Sequence, residues 1–213
     1  MTKYPKYQDY VIRDGKFIGE FDQMYKDFED PWFLSTDYEK NSPNRLLALD
    51  WIKRLQKDKK DLRVIDMGCG LGHFVSKLKK HKIQALGVDI SKTAIKKAKE
   101  LYPNCKYRVT DLLDFEVYER FRPDVIVMDE ITWYILDKLE LFIRYIREKF
   151  PNIYLIHLLV TYAPGAQKYG TDFFTDFEGI LKYFNMNILE AEDFPDKTKG
   201  SRRTFFIGKF QRS

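Results

Sequence analysis

The stretch Val64-Ile65-Asp66-Met67-Gly68-Cys69-Gly70-Leu71-Gly72 constrains this chain more than any other. Apolar strand residues run straight into three glycines at alternate positions, and a helix opens next around Phe74 and Leu78. Glycines let the backbone turn tightly and let a ligand approach the amides, while a helix N-terminus offers unpaired N–H groups. The dinucleotide fingerprint G-x-G-x-x-G would need glycine at position 73, where the chain has His73. The spacing therefore departs from the pyrophosphate-binding pattern.

Around this turn the hydrophobic pattern alternates short apolar runs with amphipathic ones. Ser42-Pro43 reads as an N-cap followed by proline at the first helical position. The helix continues through Leu46, Leu49, Ile52 and Leu55 into the charges at 57–61. Strands follow at 62–67, 85–88, 105–109, 124–128 and 152–161, with helices after Ser91, over 136–150 and over 173–184. Two final strands, 186–191 and 203–210, have no helix between them and suggest an antiparallel edge. Alternating strands and helices predict an α/β fold, a mostly parallel sheet with helices on both faces. The chain reads as one such domain over 42–213 with an extension over 1–41, rich in aromatics and fitted by no single period.

Charge and composition exclude several functions. The 37 basic and 32 acidic residues are interspersed, so the net charge of +5 describes a solvated surface, not a nucleic-acid-binding arm. Lysine groups at 57–60, 77–82 and 96–99 read as charged helix faces first and as a basic footprint second. No apolar run is long enough to span a bilayer and no secretory leader is visible. Cys69 and Cys105 make no disulfide framework, which leaves the cytoplasm as the default location. Three scattered histidines offer no metal-ligand spacing.

Two acids extend the glycine signal. Asp89 ends the second strand, 19 residues past Gly70, where a carboxylate can accept from both hydroxyls of a ribose. Asp111 follows the third strand, where an acid could meet an exocyclic amine. Acids at the carboxyl ends of successive strands converge on one crevice.

On these residues the chain resembles the class I S-adenosylmethionine (SAM)-dependent methyltransferases. The family motif D/E-x-G-x-G-x-G matches Asp66 to Gly72, the ribose acid matches Asp89 and the adenine-side acid Asp111. The resemblance covers about residues 43 to 210. It implies a Rossmann-like seven-stranded sheet of order 3-2-1-4-5-7-6, with the last strand antiparallel. It also implies SAM as cofactor, with S-adenosylhomocysteine (SAH) as product. The cofactor-binding set is then Asp66, Gly68, Cys69, Gly70, Asp89, Ile90, Asp111, Leu112 and Asp129, with Trp32 and Tyr38 from a lid over the cofactor.

Glu130 and Asp129 are the acids expected to serve catalysis, although an acid there could instead orient the methionine end of the cofactor. Trp133 and Tyr134 could wall the acceptor site or simply pack. His157 lies mid-strand and reads as a core histidine before a base; His73 reads as packing or capping as readily as chemistry. Asp129-Glu130-Ile131-Thr132 is not the motif of amino-methylating nucleic-acid enzymes, and Leu159-Val160-Thr161-Tyr162 lacks the metal-binding pair of catechol-type enzymes. The segments 17–25 and 29–32 resemble methyltransferases of bacterial surface-polysaccharide clusters and the nodulation-type sugar N-methyltransferases. A small-molecule acceptor is therefore expected: a sugar, a sugar phosphate or a phosphoramidate group in capsule biosynthesis. An RNA methyltransferase and a SAM-binding partner subunit without activity of its own are the alternatives. The extension serves as a lid or as a helix packed on the core, and the oligomeric state stays open.

Overall fold

Strand β3 (Arg63–Met67) carries the buried run Val64-Ile65-Asp66-Met67 and is an inner strand of its sheet. The computed structural model of the chain describes residues 2–36, 42–163, 165–196 and 200–210. It falls into two compact units, Met1–Pro123 and Asp124–Ser213. The first opens with a 3₁₀ turn (Tyr7–Tyr10), a hairpin of β1 (Ile12–Arg13) and β2 (Lys16–Phe17), and helix α1 (Phe21–Asp27). Helix α2 (Pro43–Asp58) precedes β3, and α3 (His73–Lys80) follows it. Then come β4 (Gln84–Asp89), α4 (Lys92–Leu101), β5 (Lys106–Val109) and the short α5 (Phe115–Phe121). Strand β3 pairs in parallel with β4, and β4 with β5.

The second unit starts with β6 (Val125–Asp129), a 3₁₀ turn (Thr132–Tyr134), α6 (Leu136–Lys149) and β7 (Tyr154–Tyr162). Helix α7 (Phe177–Phe184) leads to β8 (Asn187–Pro195) and β9 (Ser201–Lys209). Strands β6 and β7 are parallel, whereas β9 runs antiparallel to both β7 and β8. The sheet order is β5-β4-β3-β6-β7-β9-β8. Numbered from β3, this is the expected 3-2-1-4-5-7-6 order with its antiparallel final strand.

Local chemistry explains most element boundaries. Pro43 stands at the start of α2 as expected, but Ser42 makes no side-chain cap bond. Ser91 does cap α4, its hydroxyl accepting from the Ala94 amide at 3.0 Å. Helix α7 starts later than expected, because Asp176 caps it by accepting from the Gly179 amide at 2.7 Å. The preceding Phe174 instead packs on Trp133, with ring centroids 5.3 Å apart. Strand β8 runs past the expected residue 191 to Pro195 because its ladder with β9 continues, after a bulge between Ile188 and Glu190.

The β1–β2 hairpin and α5 were not expected. The hairpin turns on Asp14-Gly15, both at positive φ (51° and 72°), which is the Asp-Gly signature of a tight primed turn. Helix α5 is too short to show a period. Among the described residues no helix is long and apolar enough to cross a membrane, and no group of metal-ligating side chains gathers.

His157 is fully buried, stacked on Phe206 at 4.6 Å with Phe184 edge-on at 4.9 Å. Its Nε2 is 2.7 Å from the Thr132 hydroxyl. Burial pushes its pKa down to about 3, so this is a core histidine. Between an unfolded value of about 6.5 and 3, the unfolded chain binds a proton that the folded chain refuses. Stability therefore falls as pH drops through that window, by up to about 1.4 kcal/mol per pH unit from this group. Urea titrations at pH 7 and pH 5 are expected to show a smaller loss in His157→Gln, which keeps a partner for Thr132 but cannot titrate.

Candidate cofactor site

In the first unit the carboxyl ends of β3, β4 and β5 are drawn together by one residue. Asp89, at the end of β4, is 9% exposed. Its Oδ2 accepts from the Gly70 amide at 2.9 Å and its Oδ1 from the Ser91 amide at 2.9 Å. Its own carbonyl accepts from the Thr110 amide at 2.9 Å, just past β5. Burial pushes the carboxyl pKa up, and the amides of Ser91, Gly70 and Ile90 pull the other way. A carboxylate oxygen has more than one acceptor direction, so each can still receive a hydroxyl.

All three glycines of the turn are left-handed, with φ of 66° at Gly68, 51° at Gly70 and 76° at Gly72. At Gly72, which caps α3, a Cβ would also run into the Tyr107 ring. Cys69 is buried between the glycines with Val75, Ile95, Ala98 and Tyr107, and burial pushes its thiol up. Asp66 is 3% exposed inside β3. The turn thus presents backbone, with the thiol turned into the core.

Of the remaining sequence-derived residues, Ile90 is an apolar side chain 53% exposed directly after Asp89. Asp111 is half-buried, its Oδ1 accepting from the Leu113 amide at 3.0 Å, and Leu112 between them is buried. Trp32 is half-buried in the N-terminal segment, and Tyr38 lies outside the described residues.

The N-terminal segment brings one more side chain to the glycine turn. Tyr25, on α1, is 3% exposed, and its hydroxyl lies 2.8 Å from where a Gly70 Cβ would stand. Burial raises its pKa well above the ordinary value, and the nearby Asp89 adds to this. Leu34 approaches the same spot, at 3.5 Å. Asp30 shapes this stretch by accepting from the Leu34 amide at 3.0 Å and the Ser35 amide at 2.7 Å. The Ser35 hydroxyl is 3.0 Å from His73 Nε2, and the Tyr102 hydroxyl 2.6 Å from His73 Nδ1. His73 therefore pins the segment to the first turn of α3.

In the second unit Glu130, just past β6, holds φ at 60° and is half-buried. Its amide donates to the Leu158 carbonyl at 2.9 Å, and its Oε2 accepts from the Val160 amide at 2.8 Å. The Val160 carbonyl receives the Trp133 indole N–H at 2.8 Å. Glu130 and Trp133 thus complete the end of β7 where β6 has run out. Asp129, the last residue of β6, pairs with Leu158 in the ladder.

Residues 58–157 match the model of the family described as Methyltransferase domain. The chain is 33% identical over 96 residues to protein 235L of Invertebrate iridescent virus 6, itself named only as a candidate methyltransferase. That match takes in 43% of this chain and spans about a third (35%) of that protein's length. Among solved structures, the N-methyltransferase NodS of Bradyrhizobium japonicum WM9, in complex with SAH, superposes with a TM-score of 0.63 at 18% identity. The superposition covers 86% of this chain and 93% of NodS. A SAM-dependent methyltransferase of Clostridium acetobutylicum gives 0.61 at 16% identity, covering 90% and 99%. The seven-stranded fold of this chain is thus the fold of those two methyltransferase structures, and its residues 58–157 match the methyltransferase-domain model.

Proposed function

We propose that this chain is a SAM-dependent methyltransferase that acts on a small acceptor in the cytoplasm. The observation that carries the reading is Asp89, buried at the strand end and joined through both oxygens to the amides of Gly70 and Ser91. A buried carboxylate fixed in this way is preorganised to receive paired hydroxyls.

The residues fit the cofactor. Asp89 would take the ribose hydroxyls, Asp111 the adenine amine, and exposed Ile90 with Leu112 the flat ring. The glycine turn, where a Cβ at Gly70 would strike the Tyr25 hydroxyl, would offer its backbone to the amino-acid end, with buried Asp66 just before it in β3. Cys69 contributes backbone only. Bound SAM supplies a methyl group on a sulfonium, which makes it a good electrophile. The chain's part is then to hold the donor, shed water and orient the acceptor for in-line transfer.

Asp129 and Glu130 are the acids we assign to the acceptor, with Glu130 available to draw a proton from a hydroxyl or to hold an amine. We further propose a sugar, sugar phosphate or phosphoramidate group of a bacterial surface polysaccharide as acceptor. Two likenesses support this: the N-terminal segment's resemblance to enzymes of such clusters, and the overlay on NodS, an N-methyltransferase.

Calorimetric titration of SAH is expected to give one-to-one binding at micromolar concentration. Asp89→Ala is expected to weaken it by about 1.5–3 kcal/mol, since ribose hydroxyls would lose a charged partner; unchanged affinity would refute the ribose assignment. Glu130→Gln keeps an acceptor for the Val160 amide, so its thermal midpoint should hold. Turnover with a sugar-type acceptor should then fall by more than tenfold while SAH affinity stays within twofold. Equal loss of both would move Glu130 to the cofactor side. Binding of SAH with no transfer to any free acceptor, restored by a co-purifying protein, would mark a partner subunit instead.

A further inference from the structure

Helix α1 has seven residues, well short of the roughly 12–15 that an isolated helix needs in water, so its order depends on what it docks against. It docks on α4, at two points. At its start, Asp22 Oδ1 accepts from the Thr93 amide at 2.8 Å and from the Ser91 hydroxyl at 3.1 Å. Just past its end, Lys97 Nζ donates to the carbonyls of Phe28 at 2.9 Å and Glu29 at 3.1 Å. Thr93 and Lys97 stand one helical turn apart on α4, so one helix face grips both ends of α1. Tyr25, seated against Gly70, lies between the two grips.

The first grip also touches the ribose acid. Ser91 donates its hydroxyl to Asp22 and its amide to Asp89. The α4 N-terminus is thus filled by a carboxylate from a distant part of the chain, which suits its partial positive charge. Lysine's ammonium on two carbonyls is a charge-assisted contact, stronger than a neutral one. Neither Asp22 nor Lys97 belongs to the motif residues of the glycine turn.

We infer that Asp22 and Lys97 form a clasp that holds residues 21–36 on the glycine turn. Lys97 is thereby a positioning residue for the cofactor, acting through Tyr25. The cofactor part of this inference rests on the reading of that turn as the SAM site; the clasp itself does not. Opening the clasp frees a local unit, not the whole fold, because the sheet keeps its own core.

Lys97→Met, which keeps the aliphatic stem and removes the ammonium, tests it against wild type and Lys97→Arg. In ligand-free protein, hydrogen exchange of amides 21–28 is expected to quicken about tenfold, with β3 and β4 amides unchanged. SAH affinity should fall about tenfold, and the KM for SAM should rise more than kcat falls. Arg should restore both readouts, since it donates to the same carbonyls. Unchanged exchange over 21–28 would overturn the clasp. Faster exchange with unchanged SAH affinity would overturn the positioning role. Should Lys97→Met loosen the sheet as well, Asp22→Ala, which removes the acceptor for both the Thr93 amide and the Ser91 hydroxyl, carries the same two expectations. Wild-type protein that binds no SAH, while exchange over 21–28 still depends on Lys97, would bring down the reading of the turn and leave the clasp standing.

Discussion

A buried carboxylate in a small α/β unit has to be satisfied by donors, because an unpaired charge there would cost several kcal/mol. Asp89 meets that demand with backbone amides from its two flanking turns. Its carbonyl secures the chain leaving β5. One residue thereby sets the spacing of three strand ends, and the glycine turn takes its shape against it. The packing beneath is equally exacting. A Cβ at Gly87 would come within 2.8 Å of Cys69 Sγ, of Tyr107 and of Val75, so the layer under the turn tolerates no added volume.

Above the turn, the N-terminal segment is built from polar links and rings. Asp27 holds Tyr10, Asp30 holds the amides of Leu34 and Ser35, and Tyr7 packs its ring between Phe28 and Trp32. Asp22 is acidic for the same reason it is structural. Partial burial works to raise its carboxyl, yet hydrogen bonds from Lys26, Thr93 and Ser91 hold it well below the usual range. Such a segment is ordered by what it docks on.

The second unit shows how a candidate catalytic acid can also be structural. Glu130 sits in the left-handed region, costly for a residue with a Cβ, and its side chain continues the β6–β7 ladder by one bond. A position strained in this way and tied by its side chain is held in one orientation. Trp133 does the same for the neighbouring carbonyl while its ring packs against Phe174 and Tyr162.

Much of this was legible in the residues themselves. Alternation of apolar and amphipathic runs determined the α/β class and, apart from the short α5, the strand and helix sequence from β3 onward, since burial on both faces of a parallel strand needs continuous apolar runs. Asp66 to Gly72 marked the turn, because only glycine takes positive φ three times in five residues without strain. His157 was readable as core from its apolar neighbours. The N-terminal segment was not readable, because its order comes from contacts some 70 residues away along the chain, Asp22 on Thr93 and Lys97 on Phe28. Nor did any local pattern say that Tyr25 would lie on Gly70, or that Glu130 would spend an oxygen on Val160. Periodicity records which face of an element is buried, whereas the partner of a polar side chain is chosen only when distant segments meet.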